Sequence, residues 1–131
     1  MKVLTIKQPW ATLIMQGDKQ FKFRSWQTKY MGELLIHAGK VIDKEAVKRL
    51  ANYLPKELPQ SKILGKVTLV DCRKMTPEFK EELLKENSDI YTKSFFKENY
   101  DWELEDVHVF SEPIDVKGHL SLWDYDLESG K

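Results

Sequence analysis

Short segments with the alternating apolar and polar residues of β-strands recur along the chain and constrain its fold more than any other feature. Strands are predicted over residues 3–6, 20–26, 32–38, 63–72, 100–110 and 116–123. Gly65 is a candidate β-bulge, and the alternation of the fifth segment breaks at residues 105 and 106, where a bulge or a turn is expected. The pattern favours an α+β fold, a small twisted or barrel-like mixed sheet with two or three flanking helices, over strictly alternating strands and helices.

Three helices are indicated between these strands by capping residues and by apolar residues at helical spacing. The first follows Pro9 and ends at Gly17, which suits a left-handed C-cap. The second begins after Asp43 and ends before Pro55, and the third is capped by Thr76. No linker rich in Gly, Ser or Pro interrupts the 131 residues, so a single domain over residues 1–131 is expected.

Several classes of protein are excluded by the composition. No apolar run approaches the roughly 18 residues of a membrane span, so no membrane partner is expected. The single Cys72 excludes an internal disulfide and a multi-cysteine zinc site, and it indicates a reducing, cytoplasmic location. His37, His108 and His119 lack metal-ligand spacing, so neither a metal nor another cofactor is expected. Cys72 is expected to be a small buried thiol and His37 a hydrogen-bonded, partly buried imidazole.

The charges balance, with 21 basic and 21 acidic side chains, but they are unevenly distributed. Residues 1–66 carry 13 basic and 5 acidic side chains, a balance of +8, whereas residues 67–131 carry 8 basic and 16 acidic, a balance of −8. The asymmetry is typical of a molecule with one positive face. It is equally compatible with two interleaved halves that mix their charges over the surface.

The densest group of candidate binding residues lies between residues 19 and 26. On a strand, one face presents Gln20, Lys22, Arg24 and Trp26. Phe21 and Phe23 share the opposite face and are expected in the core. Cations that neutralise phosphate beside an indole on which a base can stack are what single-strand recognition requires. The alternative is a solvated strand face on which Trp26 covers the core.

Two further segments are weaker candidates. Gln8, Pro9 and Trp10 lie at a strand-to-helix junction, where helix amides and the neighbouring Lys7 would suit an anion. Asp71 follows apolar strand residues, and it would either pair with nearby cations or orient a catalytic lysine in a cleft.

The order of these segments resembles the ASCH domain (activating signal cointegrator-1 homology), a family of the PUA-like superfamily, over about residues 3–124. The resemblance is carried by LTIKQPWA (4–11), GDK (17–19), RSWQT (24–28), GELLIHA (32–38), GKVTLVDC (65–72), YDW (100–102) and the P-I, K-G and L-W pairs between residues 113 and 123. It implies a PUA-like β-barrel with a cleft between barrel and helices. It also implies contact with RNA or a nucleotide-like small molecule, and some small bacterial members are described as ribonucleases or as amidohydrolases acting on acylated cytidine.

The residues that match the family's motifs are Gln8, Pro9, Trp10, Lys19, Arg24 and Trp26. Two positions depart from the family pattern. Lys22 stands where many members carry Glu and some amidohydrolases carry Thr, and Met31 stands where many carry Arg. Lys22 beside Lys19 should depress the pKa of either lysine if the two are close and shielded, and it favours a phosphate ligand over a proton relay.

Three functions follow as hypotheses, of which the leading one is a small RNA-binding module. Its phosphate and base contacts would come from Gln8, Pro9, Trp10, Lys19, Lys22, Arg24, Ser25 and Trp26. The second is a small hydrolase in which Lys19 is nucleophile or base, Arg24 contacts the oxyanion or phosphate, and Asp71 or Glu86 is the acid. The third is a protein-interaction module that uses the acidic C-terminal half. The oligomeric state is not indicated by any of these residues.

Overall fold

The computed structural model describes residues 1–91 and 99–127, which form one six-stranded mixed sheet and three α-helices. The strands are β1 (Lys2–Gln8), β2 (Phe21–Arg24), β3 (Gly32–Ile42), β4 (Lys62–Lys74), β5 (Tyr100–Asp115) and β6 (Leu122–Asp124). The helices are α1 (Trp10–Gln16), α2 (Lys44–Arg49) and α3 (Pro77–Glu86), and a 3₁₀ turn covers Ala51–Tyr53. The strand order is β2-β5-β4-β3-β1-β6, in which β1 and β3 run parallel. In the described part of the chain, no helix is long and apolar enough to cross a membrane.

The α+β class and the flanking helices predicted from the sequence are confirmed. Among the described residues, no ladder joins the edge strands β2 and β6, so the sheet is not closed into a barrel by hydrogen bonds. The arrangement is consistent with a PUA-like, barrel-like fold. The strand β5 runs the length of β4 and pairs with β2 only at its start, through residues 100–103.

The helix ends that were predicted from capping residues at Gly17, Asp43 and Thr76 are confirmed. The side chain of Asp43 accepts a hydrogen bond from the Ala46 amide at 3.1 Å, and Thr76 accepts one from the Phe79 amide at 3.2 Å. Gly17 ends α1 with a φ of 85°, a left-handed conformation that glycine adopts without steric cost.

Irregularities in the sheet also follow the sequence in part. The break in β5 is a bulge and not a turn. Lys66 pairs with His108 and Thr68 pairs with Glu105, so β5 has one residue more than β4 between these two pairs. Asp106, in this bulge, has a φ of 53°. A register shift also accompanies Gly65.

The strand predicted over residues 116–123 is wrong: β6 covers Leu122–Asp124 only. The Val116 amide donates to the Ser61 carbonyl, and the Val116 carbonyl accepts from the His37 imidazole, so one backbone bond and one side-chain bond hold the chain there in place of a ladder.

The hydrophobic core lies on both faces of the sheet. The larger cluster packs α1 against β1, β3, β4 and β5, and the smaller one is built on Val3, Leu35 and Ile63. Alternation along β1 therefore buries Val3 on one side and Leu4 on the other. Lys7 of β1 and Lys40 and Val41 of β3 are exposed, and a cleft opens beside them.

Candidate functional site

A cleft of about 400 Å³ is formed by the ends of three strands. Its walls are residues 5–7 of β1, residues 22–26 at and after the end of β2, and residues 39–41 of β3. Four of its side chains are cationic: Lys7, Lys22, Arg24 and Lys40. None of the described residues that line the cleft is acidic. The arrangement therefore concentrates positive charge in a concave site, where it acts more strongly than on a flat surface.

The cations converge because of how the strands meet. The parallel register pairs Ile6 of β1 with Ala38 of β3, so Lys7 and Lys40 leave the sheet at the same edge. The end of β2 reaches this edge from the far side of the sheet, since an Arg24 guanidinium nitrogen donates to the Thr5 carbonyl at 3.0 Å. This contact joins the edge strand β2 to β1, which lies next to the other edge strand of the open sheet.

Trp26 forms the aromatic wall of the cleft and also packs on the core. Its ring meets the ring of the fully buried Trp102 edge-on, with centroids 4.7 Å apart. The Trp102 indole donates to the Trp26 carbonyl at 3.4 Å. The Arg24 guanidinium carbon lies 5.8 Å from the Trp26 ring centre, within the range of a cation–π contact. The neighbouring Ser25 is exposed and lines the same cleft.

Lys19 is separated from this group. Its side chain is buried, with 2% of the residue's surface exposed, and its ammonium nitrogen lies 4.6, 4.8 and 5.4 Å from the ring centres of Phe23, Tyr91 and Trp10. Burial, and after it the charge of Lys22, lowers the pKa of Lys19 well below its usual value. Phe23 both touches Lys19 and lines the cleft, so one aromatic ring lies between the amine and the cleft.

Gln8, Pro9 and Trp10 are buried and do not line the cleft. The Gln8 side chain accepts from the Thr12 amide at 3.0 Å and donates to the Pro59 carbonyl at 2.8 Å. One amide of the first turn of α1 is thereby satisfied within the protein. Gln8 positions α1 against the loop after α2, and the helix N-terminus is not presented to the cleft.

The candidate acids lie elsewhere. Asp71 accepts from the Cys72 amide at 2.8 Å and pairs with Arg73 at 3.4 Å. Arg73 also contacts Glu103 and the buried Asp101, whose pKa is raised chiefly by burial. This ion-pair cluster on β4 and β5 shares no residue with the cleft.

Glu86, the other candidate acid, is exposed at the end of α3. It contributes weakly to the raised pKa of Tyr91, which burial brings to about 12. Tyr91 in turn lies beside Lys19.

The expectations for Cys72 and His37 are confirmed. Cys72 is buried and its thiol pKa is raised by burial. The His37 Nε2–H donates to the Val116 carbonyl at 2.6 Å, and Nδ1 accepts from the Thr5 hydroxyl at 3.2 Å. Burial lowers the pKa of His37, partly offset by the Val116 carbonyl. Within residues 1–91 and 99–127, no three His, Cys, Asp or Glu side chains are grouped as a metal ion would require.

Lys40 was not identified as a site residue from the sequence, and Lys7 was assigned only to the helix junction. The two residues are 33 positions apart, and only the parallel pairing of β1 with β3 brings them together. A pattern within one strand cannot report that pairing.

The chain matches the profile of one known family, described as the ASCH domain, over residues 4–114. It is similar to activating signal cointegrator 1 from Homo sapiens, with 34% identity over an alignment of 90 residues, and the match covers 60% of this chain. The same protein from Mus musculus is 38% identical over an alignment of 80 residues, and that match covers 53% of this chain. The matched regions are 15% and 14% of the lengths of these two relatives, which are therefore much longer proteins.

Solved structures give a consistent result for the fold. The crystal structure of ASCH from Zymomonas mobilis superimposes with a TM-score of 0.65 at 14% identity, covering 97% of this chain and 88% of that one. A mutant form of the same protein matches with a TM-score of 0.64 at 13% identity, covering 97% and 89% of the two chains. At these identities the likeness shows a shared fold.

Proposed function

The chain belongs to the ASCH domain family, and from this premise we propose that it is a small nucleic-acid-binding module that takes single-stranded RNA in its cationic cleft. The observation that carries the proposal is the composition of the cleft wall. Lys7, Lys22, Arg24 and Lys40 surround one indole, that of Trp26, and none of the described lining residues is acidic. A single strand presents phosphates to cations and unstacked bases to aromatic rings, and both kinds of partner are present.

The size and shape of the cleft agree with a ligand of this class. A volume of about 400 Å³ falls within the range of about 300–1,000 Å³ that is typical of small-ligand sites. The Trp26 ring is held from behind by Trp102, so its orientation is set before a base arrives. A preset stacking surface loses less entropy on binding than a mobile one.

The charge distribution of the whole molecule also supports the proposal. All residues of the cleft come from the basic half of the sequence. A separate groove is lined by the acidic Glu112, Asp124 and Asp126. Ion pairs such as Lys2 with Asp124 join the basic and the acidic half of the sequence elsewhere on the surface. The described residues that line the cleft include four cations and no acidic side chain. An anionic strand would be attracted to the cleft and repelled by the groove.

Fluorescence anisotropy of a labelled single-stranded RNA, measured across a salt series, tests the proposal. Each phosphate contact on a single strand contributes about −0.7 to the slope of log K against log salt, so three contacts give about −2. The double variant Lys7→Gln/Lys40→Gln is expected to fold normally, because both side chains are exposed. It should make the slope of log K against log salt less negative by about 1.4, the contribution of two phosphate contacts.

The matched control is Lys48→Gln/Lys85→Gln, which removes the same charge from exposed positions on α2 and α3. The control is expected to keep the slope of the wild type. Equal losses in both double variants would show that binding follows net charge and not the cleft. An affinity that ignores salt would contradict the proposal.

A second candidate function, hydrolysis of a modified nucleoside or of RNA, is favoured by one observation, the lowered pKa of Lys19. A neutral amine can act as base or nucleophile. The buried position of Lys19 behind Phe23 and the distant cluster around Asp71 do not assemble the other parts of such a site. Gel analysis of the RNA after titration, together with an assay on N-acylated cytidine, tests for turnover, which Lys19→Met should abolish if this function is correct.

A further inference from the structure

A second cavity, of about 250 Å³, adjoins the cleft. Three residues, Thr5, Gly39 and Lys40, line both of them, so the two cavities are neighbouring parts of one groove. A Cβ atom on Gly39 would lie 3.0 Å from the Thr5 methyl carbon. Gly39 and Thr5 therefore pack closely against each other where the two cavities adjoin.

The second cavity repeats the chemistry of the first. It is lined by the cations Lys40 and Lys117, by the hydroxyl residue Ser61 and by the exposed His119, and none of its described lining residues is acidic. Leu120 forms its outer rim and is 94% exposed, the most exposed large apolar side chain among the described residues. A cation beside an imidazole ring and an apolar edge matches the needs of a phosphate followed by a base.

The segment that carries Lys117 is fixed in place. The preceding Val116 donates its amide to the Ser61 carbonyl at 3.1 Å, and its carbonyl accepts from His37 at 2.6 Å. The following Gly118 lies so close to His37 that a Cβ would fall 2.8 Å from the imidazole Cε1. Lys117 thus stands between two anchored residues, and its backbone position is set before any ligand binds.

The ring of His119 is also supported from behind. It meets the Trp123 ring with centroids 4.9 Å apart, and the Trp123 indole donates to the Thr5 hydroxyl at 3.0 Å. Since Thr5 lines both cavities, one hydrogen bond connects the support of the second cavity to the floor of the first.

We propose that the second cavity, with Lys117 and His119, is a binding subsite for the adjacent nucleotide, so the groove holds at least two consecutive nucleotides of one strand. The proposal rests on the proposed function and extends it to a length requirement on the ligand. Lys40, shared by both cavities, would contact the phosphate between the two nucleotides. Lys117 would contact the next phosphate, and its base would lie against His119 and Leu120.

Isothermal titration calorimetry with uridine monophosphate and with oligouridylates of two and four nucleotides tests the subsite. Lys7 lines the first cavity only and Lys117 the second only, so the two exposed lysines form a matched pair. Lys7→Gln is expected to weaken binding at every length. Lys117→Gln should leave the mononucleotide unchanged and weaken the tetranucleotide two- to fivefold, as expected for one exposed charge contact. Its salt slope should fall by about 0.7. Lys85→Gln, on α3, should change neither.

Each alternative result has a distinct meaning. If Lys117→Gln matches the wild type on the tetranucleotide while Lys7→Gln does not, the proposed function stands and the second subsite is wrong. Equal weakening of mononucleotide and tetranucleotide by Lys117→Gln would also overturn a separate subsite. If the wild type binds none of the three ligands, the proposed function fails and the subsite fails with it.

Discussion

Among single residues, Trp26 connects the core to the cleft. The sequence left two interpretations of this residue, a stacking platform or a cover for the core. In the structure the ring packs on Trp102, as a cover for the core would, and it also lines the cleft, so stacking on it is part of the proposed function. A half-buried aromatic ring whose back is packed is well suited to stacking, since it loses little freedom when a base binds.

Substitutions of Trp26 separate its contribution to RNA binding from its contribution to the stability of the core. Trp26→Ala should weaken RNA binding by about 1–3 kcal/mol if a base stacks there. Trp26→Phe should retain most of the affinity because it keeps an aromatic face. Anisotropy gives the affinities, and urea unfolding of each variant shows whether the protein is still folded. A folded Trp26→Ala protein that binds RNA as the wild type does would exclude stacking on this ring.

The burial of Lys19 reduces the free energy of unfolding by an amount that depends on pH. The unfolded chain binds a proton at this lysine up to pH 10.5, whereas the buried amine in the folded protein releases its proton at lower pH. The unfolded state therefore binds more protons between these two values, and stability rises with pH across that window. At neutral pH the burial of Lys19 lowers the free energy of unfolding.

Lys19→Met is therefore expected to raise stability at pH 7. The substitution keeps a long side chain among the rings of Trp10, Phe23 and Tyr91 and removes the titrating group. The difference in the free energy of unfolding between the variant and the wild type should become smaller as the pH rises towards 10.5. The change is about 1.4 kcal/mol for each tenfold difference in proton affinity between Lys19 in the folded and in the unfolded chain. Urea unfolding at pH 7, 8.5 and 10 measures it. A gap that is independent of pH would mean that the amine of the folded protein titrates as it does in the unfolded chain.

The predicted grouping of Lys22, Arg24 and Trp26 has a counterpart in the structure, since all three line the cleft. Alternation does not account for it, because Phe23 and Ser25 line the cleft as well and β2 ends at Arg24. Lys19 precedes the strand, so alternation does not govern it, and its burial depends on rings from α1, from β2 and from Tyr91. Contacts made across the fold leave no spacing in the sequence.

At the scale of elements, the connection between β5 and β6 is held by two long-range hydrogen bonds in place of a ladder. Residues 116–121 have an apolar and polar alternation that predicts a strand, yet Val116 is held by Ser61 and His37. Ser121 then adopts a φ of 57°, which no regular strand allows. The caps at Asp43 and Thr76 were predictable because each bond spans three residues. The bonds of Val116 span 55 and 79 residues, and a local pattern carries no trace of them.

Gly118→Ala tests whether this connection is as tightly packed as the distances indicate. The added methyl would lie 2.8 Å from the His37 ring and 3.0 Å from the Thr5 hydroxyl, so the segment must move. We expect a loss of about 1–3 kcal/mol of stability, as is usual for overpacking, measured by urea unfolding. Binding of a tetranucleotide should weaken more than binding of a mononucleotide. A variant within 0.5 kcal/mol of the wild type would show that the segment can shift without cost.

For the whole molecule, the central feature is an open sheet in which the edge strand β2 contacts β1 beside a positively charged cleft. The contact from Arg24 to the Thr5 carbonyl joins β2 to β1, although the two strands are four places apart in the sheet order. The pattern of strands and helices predicted the α+β class, and the resemblance to the ASCH domain implied the PUA-like form. The opposite net charges of residues 1–66 and 67–131 predict a positively charged site but do not locate it. The two parts of the sequence lie side by side where β4 pairs with β5, and ion pairs such as Lys62 with Asp115 join them.

The most direct test of RNA binding in the cleft is an NMR titration of the ¹⁵N-labelled protein with a single-stranded RNA of four nucleotides. Trp26 and Gly39 line the cleft, whereas neither Trp10, which is buried, nor Gly17, which ends α1, lines it. If RNA binds in the cleft, the Trp26 and Gly39 signals shift together and saturate at one ratio, while those of Trp10 and Gly17 stay in place. Shifts confined to the acidic groove around Tyr125, or no shifts at low salt, would contradict it.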